Sequence, residues 1–294
     1  VTIYYPDILE EATEWRPFGY EPRDAILYAL AIGMADEADG LNYVYERDLK
    51  VLPTAATVLG GVIMPRMNAP TGLRPSRLDM SRVVHGEQCV TLHRPLRASE
   101  ALRTRTRTIG AYDKGAGRGA LLITETDWQD DKGAPVATLT NSFFARGDGG
   151  FGGAASAPRE EDNFPSRRAD LEIVIPTRPD QALLYRLNGD MNPLHADPAA
   201  ARKVGFDAPI LHGLCTFGIT CRAVLAAVPD ADPDAIRSHG ARFSAPVYPG
   251  ETLVVSLWHE TKELRFTARA ADRDIEVISK GRTTFRTASI PKFN

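Results

Sequence analysis

Cysteine, tryptophan and long apolar runs are all scarce in this chain of 294 residues, which has three Cys, three Trp and five Met. Cys89, Cys215 and Cys221 are too few and too irregular for a disulfide framework, a usage that fits a reducing compartment. No uncharged apolar run approaches the roughly 20 residues needed to cross a bilayer, so no membrane-embedded role is expected. Neither sign of charge dominates: a formal net charge of −3 gives no electrostatic case for nucleic acid or an anionic membrane. Neither end reads as a targeting signal. "VTIYYPDILEE" lacks a basic-then-apolar pattern and "IPKFN" is not an SKL-type address, so a cytoplasmic location is expected. What the chain does contain, 43% hydrophobic and 25% charged residues, is the balance of a water-soluble fold of one or two domains.

The clearest break is "RGDGGFGGAASAPREEDNFPSRRAD", residues 146–170, where Gly, Ala, Ser and Pro give way to a charge cluster. It divides the chain into an N-terminal unit, 1–147, a linker, 148–170, and a C-terminal unit, 171–294. The glycines of 147–153 lack the strand-then-helix frame of a phosphate cradle, and "GAGRGA" (115–120) reads as a hairpin turn. The two sides look alike. "DAILYALAIGM" (24–34) lines up with "QALLYRLNGDM" (181–191), and "PLRASEAL" (95–102) with "PVYPGETL" (246–253), in the same order, which implies a duplicated unit of about 130 residues.

Within each unit helical signals come first and strands follow. "GLCTFGITCRAVLAAV" (213–228) is apolar on most of its surface, which suits a buried helix. "GARFSAPV", "ETLVVSLWHE", "ELRFTARAAD" and "DIEVISKGRTTFR" alternate or carry β-branched residues, as an antiparallel meander does. The expected fold class is α+β, in two tandem units, each a long buried helix wrapped by a curved antiparallel sheet.

The residues that call for chemistry lie in "LNGDMNPLH", 187–195. Gly189 and Pro193 interrupt a helix, so Asp190, Asn192 and His195 act from a sharply shaped turn. A carboxylate and an imidazole brought to one pocket can hold a water between them. Asn192 can tie the turn together or bond that water, and the sequence does not choose. Downstream, in "PILHGLCTFG" (209–218), Gly213 stands where the buried helix begins, so its N–H is one of the unsatisfied helix-start donors and its missing side chain allows close approach. Plainer readings exist for each residue alone: Asp190 as a cap or turn residue, His195 as an ordinary turn histidine. They do not account for the whole set. His212, Cys215 and Cys221 fit no compact zinc spacing, so no metal is expected, and His85, His93, His239 and His259 have no partner pattern.

The whole stretch "YRLNGDMNPLHADPAAARKVGFDAPILHG", 185–213, resembles the signature of the MaoC-like, R-specific enoyl-CoA hydratase (hydratase 2) family, Gly-Asp-x-Asn-Pro-x-His followed about seventeen residues later by His-Gly. That resemblance implies a double hot-dog fold, a homodimer, a place in lipid β-oxidation, and hydration of a trans-2-enoyl-CoA of a long or bulky acyl chain, fatty or steroid. It implies Asp190 and His195 as the acid–base pair, with Asn192 beside them and the Gly213 N–H as oxyanion donor. His212 would position the turn. No cofactor is required, coenzyme A being part of the substrate. Arg202 and Lys203 are placed for its phosphates, better than Arg103, Arg105 and Arg107 on one face of a strand. Aligned through the helix match, Asp190, Asn192 and His195 fall opposite Gly33, Ala35 and Ala38. The first unit therefore lacks the chemistry, and its residues around Leu52 to Leu59 are expected to shape the acyl pocket. The alternatives are a dehydratase acting on acyl-carrier protein, a dicarboxyl-CoA hydratase, a hot-dog thioesterase and a non-catalytic acyl-CoA-binding subunit.

Overall fold

The patterned segments become ten strands and six α-helices in a computed structural model, which describes residues 2–61, 68–157, 164–228, 232–286 and 293. Part of the expected linker, 158–163, and most of the terminal "IPKFN" lie outside the described residues. In chain order the elements are β1 (Arg16–Tyr20), α1 (Pro22–Ala31), α2 (Leu41–Val44), α3 (Ala56–Leu59), β2 (Val83–Leu92), β3 (Glu100–Asp113), β4 (Ala120–Gln129) and β5 (Pro135–Ala145). They continue with β6 (Leu171–Pro176), α4 (Gln181–Tyr185), α5 (Pro198–Lys203), α6 (Gly213–Ala227), β7 (Ile236–Phe243), β8 (Thr252–His259), β9 (Glu263–Ala270) and β10 (Ile275–Phe285).

Packing groups these elements into two compact units that cut across the halves of the sequence. One comprises residues 1–18, 64–89 and 101–163, the other 19–63, 90–100 and 164–294. The physical reason lies in α1 and the segment after it, which bury their apolar residues beside α6.

In the first unit β3, β4 and β5 form an antiparallel meander, with Thr106 opposite Thr126 and Thr126 opposite Leu139. Strand β3 alternates strictly along "LRTRTRT": Leu102, Thr104, Thr106 and Thr108 are buried while Arg103, Arg105 and Arg107 face outward. That outward face has local partners, Arg107 pairing with Glu125 and Arg103 donating to Gln129 Oε1 at 2.8 Å. The 115–120 segment turns from β3 to β4, with Gly115, Gly117 and Gly119 at positive φ as a tight turn requires. Two of the 147–153 glycines serve a carboxylate of the chain itself: Asp113 accepts from Gly150 N–H and Gly152 N–H, each at 2.7 Å.

In the second unit the sheet runs β7-β10-β9-β8-β6, and α6 packs against all five strands. Every residue of α6 except Gly213 and Ala226 is buried, which explains why its sequence is apolar all round. Burying side chains such as Phe217, Ile219 and Leu225 contributes roughly 1.5–3 kcal/mol each. Its counterpart in the first half of the chain is shorter: a 3₁₀ turn, Pro53–Ala55, leads into the four-residue α3, which ends at Gly60. Leu52, Ala55 and Ala56 are nevertheless fully buried.

Candidate active site

The turn that carries the motif is built by its own side chains. Helix α4 tightens into a 3₁₀ turn over Arg186–Asn188 and stops at Gly189, whose φ of 116° a residue with a Cβ would adopt only under strain. Asp190 then accepts the Asn192 N–H on Oδ1 at 3.1 Å, and Asn192 accepts the Leu194 N–H on its own Oδ1 at 3.0 Å, capping the 3₁₀ turn Pro193–His195. The Asn192 oxygen thus ties the turn together. Asp197 caps α5 in the same way through Ala199 N–H at 2.8 Å.

His195 is buried, and its Nδ1 lies 2.8 Å from the carbonyl oxygen of Ile210. A carbonyl only accepts, so Nδ1 carries the proton and Nε2 is left as a lone pair. Burial holds this imidazole below its usual range, against the Ile210 carbonyl and the Asp190 charge, which favour the protonated form. The ring lies against that of His212, with centroids 3.7 Å apart and planes 26° from parallel. His212 precedes α6, and its Nε2–H donates to the backbone carbonyl of Asp190 at 3.2 Å. Burial first, and then the neighbouring His195, lower its pKa to about 4. Tyr185, on α4, brings its ring to within 4.9 Å of His212.

Donor atoms of Asp190, His195 and His212 all lie within 4.8 Å of one another. That spacing is close enough for the three to share one water or one ion. Cys215 and Cys221 are fully buried in α6, and burial pushes both thiols far up, Cys221 to about 12, so neither is poised as ligand or nucleophile.

Gly213 opens α6 and is exposed although His212 and Leu214 on either side are buried. The first-turn amides of Cys215 and Thr216 donate back to His212 O at 3.0 and 3.2 Å. A Cβ at Gly213 would meet only the ring of Phe243, at 3.4 Å, so the protein's own packing does not demand glycine there. Arg202 and Lys203 occupy the exposed last turn of α5, where a basic side chain also suits the helix dipole.

The first half is offset by one residue from the sequence match. Counting from the aligned tyrosines, Tyr28 is followed by a left-handed Gly33 and Tyr185 by a left-handed Gly189. Glycine matched to glycine sets Asp190 opposite Met34, Asn192 opposite Asp36 and His195 opposite Asp39, in place of Gly33, Ala35 and Ala38. Neither register gives an acid–base pair. Beside Gly33 lies the buried guanidinium of Arg222 from α6, which donates to Ile32 O at 3.3 Å and to Glu37 Oε1 at 2.5 Å. Of the other histidines, His239 is a core residue between the Thr220 and Thr283 hydroxyls, stacked on Phe266. The sequence showed neither the Ile210 carbonyl nor the stacking of two histidines seventeen residues apart.

Residues 161–280 match the family described as MaoC like domain, and residues 18–147 the MFE-2 hydratase 2 N-terminal domain. The chain is 38% identical over 268 residues to an enoyl-CoA hydratase of Mycobacterium tuberculosis, covering 90% of this chain and 92% of that one. It is 35% identical over 282 residues to the peroxisomal enoyl-CoA hydratase 2 of Arabidopsis thaliana, covering 89% of each. A solved MaoC-like dehydratase from Phytophthora capsici is 32% identical with a TM-score of 0.84, covering 97% of this chain and 98% of that one. The likeness runs through both halves, and the architecture is the double hot-dog.

Proposed function

This chain belongs to the MaoC-like hydratase 2 family, and from that premise we propose that it is an (R)-specific enoyl-CoA hydratase. It adds water across a trans-2-enoyl thioester to give a 3-hydroxyacyl-CoA. The observation that carries the reading is the backbone-fixed ring of His195, left with a lone pair on Nε2, beside Asp190, a carboxylate oxygen of which lies within 4.8 Å of a nitrogen of that ring.

The chemistry follows from what each group holds. Water's oxygen adds to C3 of the conjugated thioester, and one of its protons passes to Nε2 of His195. The only proton of resting His195 is engaged with Ile210, so the proton delivered to C2 is the one just taken from water. Asp190 orients the water and stabilises the imidazolium while it lasts. Charge that develops on the thioester oxygen is met by the Gly213 N–H at the start of α6. Asn192 keeps the two acid–base residues on one turn. Addition of water moves no electrons to an acceptor, so the reaction needs no cofactor beyond the coenzyme A of its substrate.

Arg202 and Lys203 serve the coenzyme A phosphates in this reading, and residues from Leu52 to Leu59 shape the pocket for a long or bulky acyl group. A homodimer and a cytoplasmic location go with it. Among the described residues, no helix is long and apolar enough to cross a membrane. The name of the Phytophthora relative favours one second reading, the reverse dehydration of a 3-hydroxyacyl thioester by the same residues.

The test is loss of the conjugated enoyl-thioester absorbance with crotonyl-CoA and with long-chain and steroid enoyl-CoAs, with Asp190→Asn and His195→Gln as controls. Activity with one of these, lost in both variants, supports the reading and identifies the acyl class. Release of free thiol from a saturated acyl-CoA would replace it with a thioesterase.

A further inference from the structure

We propose that His212 is a positioning residue of this site, an imidazole neutral throughout turnover that holds the Asp190 peptide in place and takes no part in bond making. The inference rests on the reading of Asp190 and His195 as the hydration pair.

Three observations converge on it. The Nε2–H of His212 is spent on the Asp190 carbonyl, so the proton of the neutral ring is not available for transfer. The other nitrogen, Nδ1, is fully buried and has no hydrogen-bond partner among the described residues. A second proton there would create a buried, unpaired, charged donor, with His195 stacked 3.7 Å away and Arg186 adding like charge against only Asp190 of opposite sign. The stacked pair therefore takes up one proton between them, and His195, whose Nε2 is open, receives it.

The hold on Asp190 matters because of what precedes it. Gly189 is the softest residue of the turn, and the only hydrogen bond of the Asp190 carboxylate among the described residues is to Asn192 N–H, two residues on. The His212 donor ties that peptide to the start of α6, the same point that presents Gly213. One imidazole thus sets the distance between the acid–base turn and the oxyanion donor.

Two substitutions and one spectrum test this. Gln places an amide N–H near the position of Nε2, whereas Phe keeps a ring for the stack and loses the donor. We expect His212→Gln to retain most of kcat and His212→Phe to lose about 10²-fold in kcat with KM little changed, the cost of a misplacement of about 1 Å. Equal activity of the two variants overturns the proposal. The spectrum is the ¹⁵N signature of histidine-labelled wild-type protein at pH 7, where His212 is expected as the Nε2–H tautomer and His195 as the Nδ1–H tautomer. A charged or Nδ1–H His212 overturns the proposal, even if His212→Phe fails to fold. Because this readout needs no turnover, it is separable from the hydratase reading, which falls instead if Asp190→Asn and His195→Gln keep full activity.

Discussion

The Nδ1–H of His195 donates to the carbonyl oxygen of Ile210 at 2.8 Å, so the orientation of the imidazole is set by backbone and not by Asp190. A residue fixed in this way is replaceable in shape but not in proton affinity. Substitution of His195 by Gln is expected to lower kcat/KM by about 10²- to 10⁴-fold, as loss of a positioned acid–base group does. Asp190→Asn should fall in the same range. The Asn side-chain oxygen can still accept the Asn192 N–H, so its melting temperature should stay near that of the wild type, and a large drop would point instead to a structural role for the carboxylate.

Two glycines of α6 should separate chemistry from packing. At Gly213 an added methyl meets only Phe243 at 3.4 Å, so Gly213→Ala should fold normally and lose roughly 10²-fold in rate through the obstructed donor. At Gly218 the same methyl would stand 2.5 Å from Tyr28 Oη and 2.8 Å from Ile32 Cγ2. Gly218→Ala should cost about 1–3 kcal/mol of stability, as overpacking does. Urea titrations set beside initial rates check both, and the expectation fails if the two variants show the same pattern.

Acid should weaken the fold through its buried histidines. His212 and His239 have pKa values depressed from 6.5 to about 4 and about 3, chiefly by burial. In the unfolded chain both take up protons near pH 6.5, whereas the native state refuses them until far lower. Their contribution to stability is thus fully present above pH 6.5 and is lost as pH falls through the native values, each depressed unit being worth about 1.4 kcal/mol. The urea midpoint should decline steadily from neutrality toward pH 4. A midpoint that rises over this interval would contradict the assignment. The lowered pKa of His195 places the acid limb of kcat/KM below pH 6.5 by the same reasoning.

Arg222 is expected to matter for stability alone. Its side chain is 8% exposed and Glu37, its partner, is 28% exposed. Arg222→Ala strands a partly solvated carboxylate, so the cost should be about 3 kcal/mol, the lower end for breaking a buried pair. Thermal unfolding measures it, and enoyl-CoA turnover below the transition should be nearly unchanged.

The parts of this site that were legible in the sequence are those whose geometry is local. Gly189, Asp190, Asn192, Pro193 and His195 make one turn from consecutive residues, and a glycine at the start of an apolar helix announces an open donor. The fold class was legible for a similar reason, since strand alternation and an all-apolar helix are local patterns that burial then satisfies. The Ile210 carbonyl was invisible because any residue supplies one, and it is a long-range tie, Leu211 N–H to Val247 O at 2.7 Å, that helps fix where that backbone lies. The stacking of His195 on His212 depends on how α6 meets the turn, which no spacing encodes. The one-residue offset in the first half has a simple origin: α1 runs regularly to Ala31, whereas α4 tightens to a 3₁₀ turn and reaches its left-handed glycine one residue sooner.

Helix α6 grips two turns, the Asp190 turn through His212 at its start and the Ile32 turn through Arg222 ten residues on. At 1.5 Å of rise per residue those grips are about 15 Å apart on a rigid rod. Each grip by itself opposes a slide of the helix along its axis, so losing the far one leaves the near one in register. The two halves of the chain thus share one strut, held at two points by a turn from each.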